Sequence, residues 1–419
     1  MYNHHMLCKN ATDRAIYNWK HDIWSNDLIS PEVFRTNASQ SFPSPDSMLF
    51  DPSQNRRVAF EFKPPTESKR GILTGLGQTL VYLENASLAY LVAPSHVEGY
   101  AIGDFMESVF VNNIYGNLPI GLILYNDDEA KDVEIRVDIS PELQITSKGS
   151  ATSEGRFWAK HSDLPLHGLW LLLDVAYGAN NMHDKKAEVK KVFTDKYYFP
   201  PAHQTTLDII PTEIRKHDGS FLLHMNKIKN ALKKAVDDGL KTEEDALAEL
   251  VEKGSPGIAD NRTDKTLRAW FPFFIQMNLW DDHCNLTEDG YELHKYGKIH
   301  GPNSETFKFY FAKLLLINGK HLELIIEVEK LTRNKDFTST DDAITSLRST
   351  LIRSGQFREN PNRSAEEDAS FHSTKFLKYE RIIWGWLGFI PKGRDDVQYI
   401  AEKGFNFDWE RITNILLYE

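Results

Sequence analysis

The stretch from Pro45 to Tyr82 reads PDSMLFDPSQNRRVAFEFKPPTESKRGILTGLGQTLVY. Ser47–Phe50 and Val58–Lys63 are short, mostly apolar runs with strand character. Between them Asp51-Pro52-Ser53-Gln54-Asn55 carries turn chemistry, because proline presets φ and small polar side chains bond their own backbone. Two strands about such a turn predict a hairpin, ended by Pro64-Pro65. Residues two apart on a strand share a face. Glu61 and Lys63 therefore point one way and Phe60 and Phe62 into a core, with Asp46 opposite or diagonal on the partner strand. Leu73, Leu76, Leu80 and Leu83 recur at helical spacing, so a helix bearing Gln78 and Tyr82 follows at once.

Outward from this stretch, Asn10–Leu28 is expected to be a helix and Pro31–Pro45 a short helix followed by a loop. Ala89–Ala93 and Pro119–Tyr125 are expected strands, Phe105–Ile114 a helix, and Asp132–Ile139 a candidate edge strand. The order α-β-β-α-β-α-β predicts a compact α/β domain over residues 1–145. Residues 146–212 are expected to form a helical extension and linker. From about Ile214 the chain turns helical, at Phe221–Asp237, Thr242–Lys253 and Thr263–Leu279, with Thr242 as an N-cap. A short polar hairpin (Trp280–Leu286) and the T-x-x-G-x-x-L run Thr287–Leu293 follow. Three helices, a hairpin and a capped helix suggest a winged-helix-like module over 213–302, or else a helical packing domain. A second helical module, with helices at Phe307–Ile317 and Asp341–Arg353, is expected over 303–419.

The chain has 419 residues, 41% of them hydrophobic, which suffices for more than one packed core. Two distant cysteines, Cys8 and Cys284, argue against a disulfide framework or zinc ribbon and for a reducing, cytoplasmic setting. The N-terminus lacks an apolar signal core, and no run is long and apolar enough to span a bilayer, so no membrane role is expected. The fifteen histidines form no metal-binding spacing, and neither a phosphate-binding loop nor a dinucleotide fingerprint is present. The net charge of −11 disfavours nonspecific coating of nucleic acid but leaves room for local basic grooves.

Two carboxylates on one face suit Mg²⁺, which takes oxygen ligands and retains several waters. A nearby lysine suits the charge that develops at a phosphodiester under attack. Pro45-Asp46, Glu61-Phe62-Lys63 and Gln78-Thr79-Leu80-Val81-Tyr82 together resemble the P-D, E-x-K and Q-x-x-x-Y elements of the PD-(D/E)XK nuclease superfamily, which includes many restriction endonucleases. The resemblance covers roughly residues 10–145. It implies a mixed sheet flanked by helices, Asp46 and Glu61 as ligands of Mg²⁺ (with Mn²⁺ as a substitute), Lys63 as catalytic, Gln78 beside the site and Tyr82 in support. Asp51 is the alternative first ligand, disfavoured because turns favour Asp for local reasons, and Glu32 is an optional extra carboxylate.

The function so implied is sequence-specific DNA cleavage, with a C-terminal recognition region and with two chains, as a homodimer, or two successive events for a double-strand break. The alternatives are a structure-specific or defence nuclease without a fixed recognition sequence, and a DNA-binding regulator on a degenerate nuclease fold. Candidate DNA contacts are Lys69 and Arg70 at the start of the Gln78 helix, Lys265 and Arg268 on the third C-terminal helix, and Arg358 and Arg363 in the loop Arg353–Arg363.

Overall fold

A computed structural model describes residues 2–24, 27–37, 44–111, 114–148, 155–162, 164–179, 184–210, 224–333, 335, 337–359, 376–389, 399–400 and 404–417. The chain forms two compact units, one of Met1–Ala159 with Leu315–Glu419 and the other of Lys160–Leu314.

The first unit is built on a six-stranded mixed sheet, β1 (Phe34–Thr36), β2 (Ser47–Asp51), β3 (Arg56–Phe62), β4 (Leu88–Pro94), β5 (Ile120–Tyr125) and β6 (Val133–Val137), hydrogen-bonded in sequence order. β1, β2 and β3 pair antiparallel, β3, β4 and β5 parallel, and β6 closes the edge antiparallel to β5. The parallel steps need crossovers, which α2 (Lys69–Tyr82) and α3 (Ile102–Val111) provide. Side chains alternate across the sheet. Val58, Phe60, Phe62, Tyr90 and Val92 pack on α1 (Tyr2–Lys20) through Leu7, Ala11, Ala15, Ile16 and Trp19. Ala59, Leu91, Ala93 and Leu122 pack on α2 and α3 through Ile72, Leu76, Met106 and Phe110.

Two N-terminal expectations are corrected. α1 starts at Tyr2 rather than Asn10 and ends at Lys20. Its buried positions Leu7, Cys8, Ala11, Ala15 and Trp19 lie three or four residues apart, so the apolar stripe extends well ahead of the expected start. After Pro31 the chain makes a turn and then β1, not a short helix, because Phe34, Arg35 and Thr36 are held by β2.

The C-terminal part of this unit contains α11 (His321–Thr332), α12 (Thr340–Arg353), β8 (Phe357–Arg358), α13 (Lys378–Trp386), β9 (Tyr399–Ile400), β10 (Gly404–Phe405) and α14 (Trp409–Leu417). It packs with the sheet domain instead of standing apart. β8 pairs with β7 (Gly155–Arg156), and α11 docks on α1 through the buried Lys9–Glu327 ion pair. The α11 helix has no counterpart in the sequence-based assignment.

The second unit is mostly helical: α4 (Leu166–Gly178), α5 (Lys185–Phe193), α6 (His224–Asp237), α7 (Glu243–Lys253), α8 (Pro256–Gln276), α9 (Glu288–His300) and most of α10 (Glu305–Ile317). The Gly254-Ser255-Pro256-Gly257 run both stops α7 and starts α8, where Pro256 occupies the first turn. Thr242 and Thr287 cap α7 and α9 by accepting from Asp245 N–H and Gly290 N–H, each at 3.1 Å. Between α8 and α9 a bridge joins Trp280 to Leu286, and the Asp281 carboxylate accepts from the His283 and Asn285 amides at 2.9 Å. No helix among the described residues is long and apolar enough to cross a membrane.

Candidate active site

Ser47 pairs with Phe60 in the β2–β3 ladder, so the next step of the register sets Asp46 opposite Glu61. The Phe62 amide donates to Asp46 Oδ2 at 2.8 Å, anchoring the carboxylate to β3. Glu61 lies near the carboxyl end of β3, beside Leu91 of parallel β4. Such strand ends are where open α/β sheets place their ligands. Phe62 turns to the α1 face and stacks on Tyr125 at 5.4 Å, and the Tyr125 hydroxyl donates to the Lys63 carbonyl at 2.7 Å. The backbone that presents Glu61 and Lys63 is thereby held from behind.

Lys63 Nζ lies 2.8 Å from Glu61 Oε1 and donates to Gln78 Oε1 at 2.9 Å. Tyr82, one turn beyond Gln78 on α2, donates its hydroxyl to Glu61 Oε2. Asp46, Glu61, Lys63, Gln78 and Tyr82 are thus brought to one place. The Glu61 side chain is 4% exposed and that of Asp46 23%, so the site opens on the Asp46 side.

Gly75 permits the close seat of α2. A Cβ there would lie 2.5 Å from Lys63 Cε and 3.0 Å from Leu91 Cδ1. The lysine tail can yield where backbone could not. Gly75→Ala is therefore expected to change stability by less than about 1 kcal/mol, the helix-propensity gain offsetting the crowding. For the cleavage that the PD-(D/E)XK resemblance implies, it is also expected to slow turnover about tenfold or more by displacing Lys63. Comparing melting and turnover of the variant checks both.

Sequence reasoning missed His4. It sits in the first turns of α1, and its Nε2 donates to Asp46 Oδ1 at 3.0 Å while its ring lies edge-on to Phe62 at 5.4 Å. The available signal was the extended apolar stripe of α1, which carries the helix back to His4.

The two carboxylates differ. Burial alone would raise the Asp46 carboxyl, but the His4 hydrogen bond and charge, the Phe62 amide and Lys320 together hold it below the usual range. Burial, reinforced by the Asp46 charge, raises the Glu61 carboxyl in spite of Lys63 and Tyr82. A carboxyl raised in the folded state favours folding below its unfolded pKa, and that gain disappears as pH climbs through the folded pKa. Glu61→Gln is accordingly expected to raise the melting temperature relative to wild type at neutral pH, with the difference vanishing in acid. Thermal melts across that pH range test it.

That like-charge strain is what a cation relieves, and the donors are hard oxygens. Among the described residues no cluster of three or more His, Cys, Asp and Glu side chains gathers as a metal cage. Mg²⁺ needs none, since it binds through one or two carboxylates and keeps its waters. Asp46 and Glu61 are carboxylate donors of that kind.

Other sequence candidates lie elsewhere. Asp51 is five residues along β2 from Asp46, about 17 Å at strand rise. Its carboxylate accepts from Ser30 N–H and Oγ–H at 2.7 Å and from Ser53 N–H at 3.0 Å, so it organises the turn. Glu32 sits at that same end, accepting from Ser53 Oγ at 2.8 Å. Lys69 and Arg70 are exposed in the first turn of α2, with Lys69 3.7 Å from Glu98. Lys265 and Arg268 are exposed on α8, whereas Thr263, on the same helix, is buried and bonded to the Ala259 carbonyl. The Arg358 guanidinium lies over the Phe34 ring at 5.2 Å, and Arg363 falls outside the described residues.

The sequence matches no protein-family model and no curated protein.

Proposed function

We propose that this protein is a Mg²⁺-dependent endonuclease of the PD-(D/E)XK kind, hydrolysing DNA phosphodiesters as a sequence-specific restriction endonuclease. The observation that carries the reading is the meeting of Asp46, Glu61, Lys63 and Gln78 at the carboxyl end of β3. Asp46 and Glu61 are the residues that would hold the ion. Bound there, Mg²⁺ supplies charge that acidifies water and neutralises the phosphodiester. His4 and the Phe62 amide orient Asp46, and Tyr82 orients Glu61. Lys63, steered by the Glu61 and Gln78 oxygens, stabilises the negative charge carried by the phosphoryl oxygens as water attacks in line. The attacking water gives up a proton to solvent, the bond to the leaving oxygen breaks, and that oxygen takes a proton from solvent.

With a net charge of −11, DNA affinity rests on local cations. In the second unit, the succession α6–α7–α8, the Trp280–Leu286 bridge and capped α9 support a winged-helix-like recognition module, with Lys265 and Arg268 exposed on α8. One site per chain cuts one strand, so a double-strand break calls for a homodimer or two events. The test is digestion of a sequenced plasmid with Mg²⁺ by the wild type and by Lys63→Ala, with the ends mapped. Defined fragments from the wild type alone support the reading, and a smear points to cleavage without a fixed sequence. Equal cleavage by both proteins overturns it.

A further inference from the structure

α1 and α11 run side by side in parallel register. Lys9 Nζ meets Glu327 Oε2 at 2.7 Å, and one turn earlier on each helix His5 lies in the field of Glu323 and Lys320. The same end of α1 carries His4, bonded to Asp46. The start of α11 therefore lies at the open, Asp46 side of the candidate site.

Lys320 caps that start in a left-handed conformation, φ 58° and ψ 21°, which side-chain-bearing residues seldom adopt. Glycine would hold the turn with less strain, so the lysine calls for another reason. Its ammonium is held only loosely by the protein. Glu323 is already matched by Arg35, whose Nη2 lies 2.5 Å from Oε2, while Lys320 Nζ reaches Oε1 only at 3.7 Å. Burial, and then Lys320 itself, pushes His5 down to about 4, so His5 is neutral near pH 7 and adds no charge. The Lys320 side chain is 18% exposed, so part of it is reachable from solvent.

We propose that Lys320 binds a backbone phosphate of the DNA strand held at the Asp46–Glu61 site, entering from the α1 face while Lys63 enters from the α2 face. This rests on the nuclease reading and adds to it a contact from the C-terminal part of the chain. A lysine serves phosphate as a point charge, and each such contact releases counterions on binding.

Lys320→Gly is the informative variant, because it removes the charge and relaxes the backbone at once. In the cleavage-deficient Lys63→Ala background, binding of mixed-sequence duplex DNA is measured at fixed Mg²⁺ across a KCl series. The expected result is weaker binding with a log K against log salt slope shallower by about one. The melting temperature is expected not to fall, and Lys320→Arg is expected to restore the slope. An unchanged slope in a protein whose wild type cuts DNA overturns the role of Lys320 alone. Weaker binding with a lowered melting temperature, unrescued by Lys320→Arg, makes the residue structural and likewise overturns it. A wild type that neither cuts nor binds DNA removes the nuclease reading and this contact together.

Discussion

On the proposed nuclease function, Lys63→Ala is expected to slow Mg²⁺-supported cleavage by about 10²–10³-fold, the range seen when one preorganised donor to a developing anion is lost. The ammonium is held by Glu61 at 2.8 Å and Gln78 at 2.9 Å, so it is aimed before substrate arrives. Its loss acts a second way, by leaving the Glu61 carboxylate beside Asp46 without its cation. The Glu61 pKa, already raised by burial and Asp46, then rises further, and the pH profile of the residual activity moves to higher pH. Lys63→Arg is not expected to restore the rate. The Lys63 ammonium fits as a compact point charge between Glu61 Oε1 at 2.8 Å and Gln78 Oε1 at 2.9 Å, a geometry that a planar, wider guanidinium does not reproduce. Single-turnover plasmid cleavage over a pH series reads both effects. A rate within threefold of wild type, on the order of 0.6 kcal/mol in the barrier, would exclude Lys63 from the chemistry.

The largest effect on stability is expected at Glu323. Its carboxylate pairs with Arg35, and the two side chains are 2% and 1% exposed. Glu323→Ala strands a buried guanidinium, a loss that typically costs about 3–5 kcal/mol. Replacing both partners by apolar residues, as in Arg35→Met with Glu323→Leu, is expected to recover most of it, since neither charge then remains to be solvated. Denaturant unfolding of the single and double variants measures the difference. Burial would raise the Glu323 carboxyl, but Arg35 and then Lys320 hold it below the ordinary value. A depressed carboxyl contributes stability above its unfolded pKa and loses it as pH falls through the folded one. The wild type should therefore lose this pair's contribution in acid, while the doubly apolar variant should not. Equal acid sensitivity of the two proteins would remove the pair from the account.

The candidate site was largely legible because its signals are local. Alternation put Glu61 and Lys63 on the face opposite Phe60 and Phe62, and helical periodicity set Gln78 and Tyr82 one turn apart, although the buried stripe is Ile72, Leu76, Thr79 and Tyr82 and the expected Leu73 is exposed. The Asp51 turn was legible for the same reason, its carboxylate being spent on the amide and hydroxyl groups around it. The true start of α1 was harder to see, because Tyr2–His5 is polar and aromatic and its helicity depends on the stripe that follows. β1 was missed because three residues beside Pro31 become a strand only when β2 supplies the hydrogen bonds.

By itself the sequence determined the hairpin, the face that carries Glu61 and Lys63 and the helix laid against it, since periodicity and turn chemistry act over a few residues. The tertiary structure alone decided that Asp46 answers to His4, and that the segment Leu315–Glu419 belongs with the sheet domain. The reason is electrostatic. Lys9 and Arg35 are buried cations whose partners, Glu327 and Glu323, lie at the far end of the chain, and neither partner leaves a local mark on the other's sequence. Burial makes the matching compulsory, because an unpaired charge in that interior costs more than any local propensity returns.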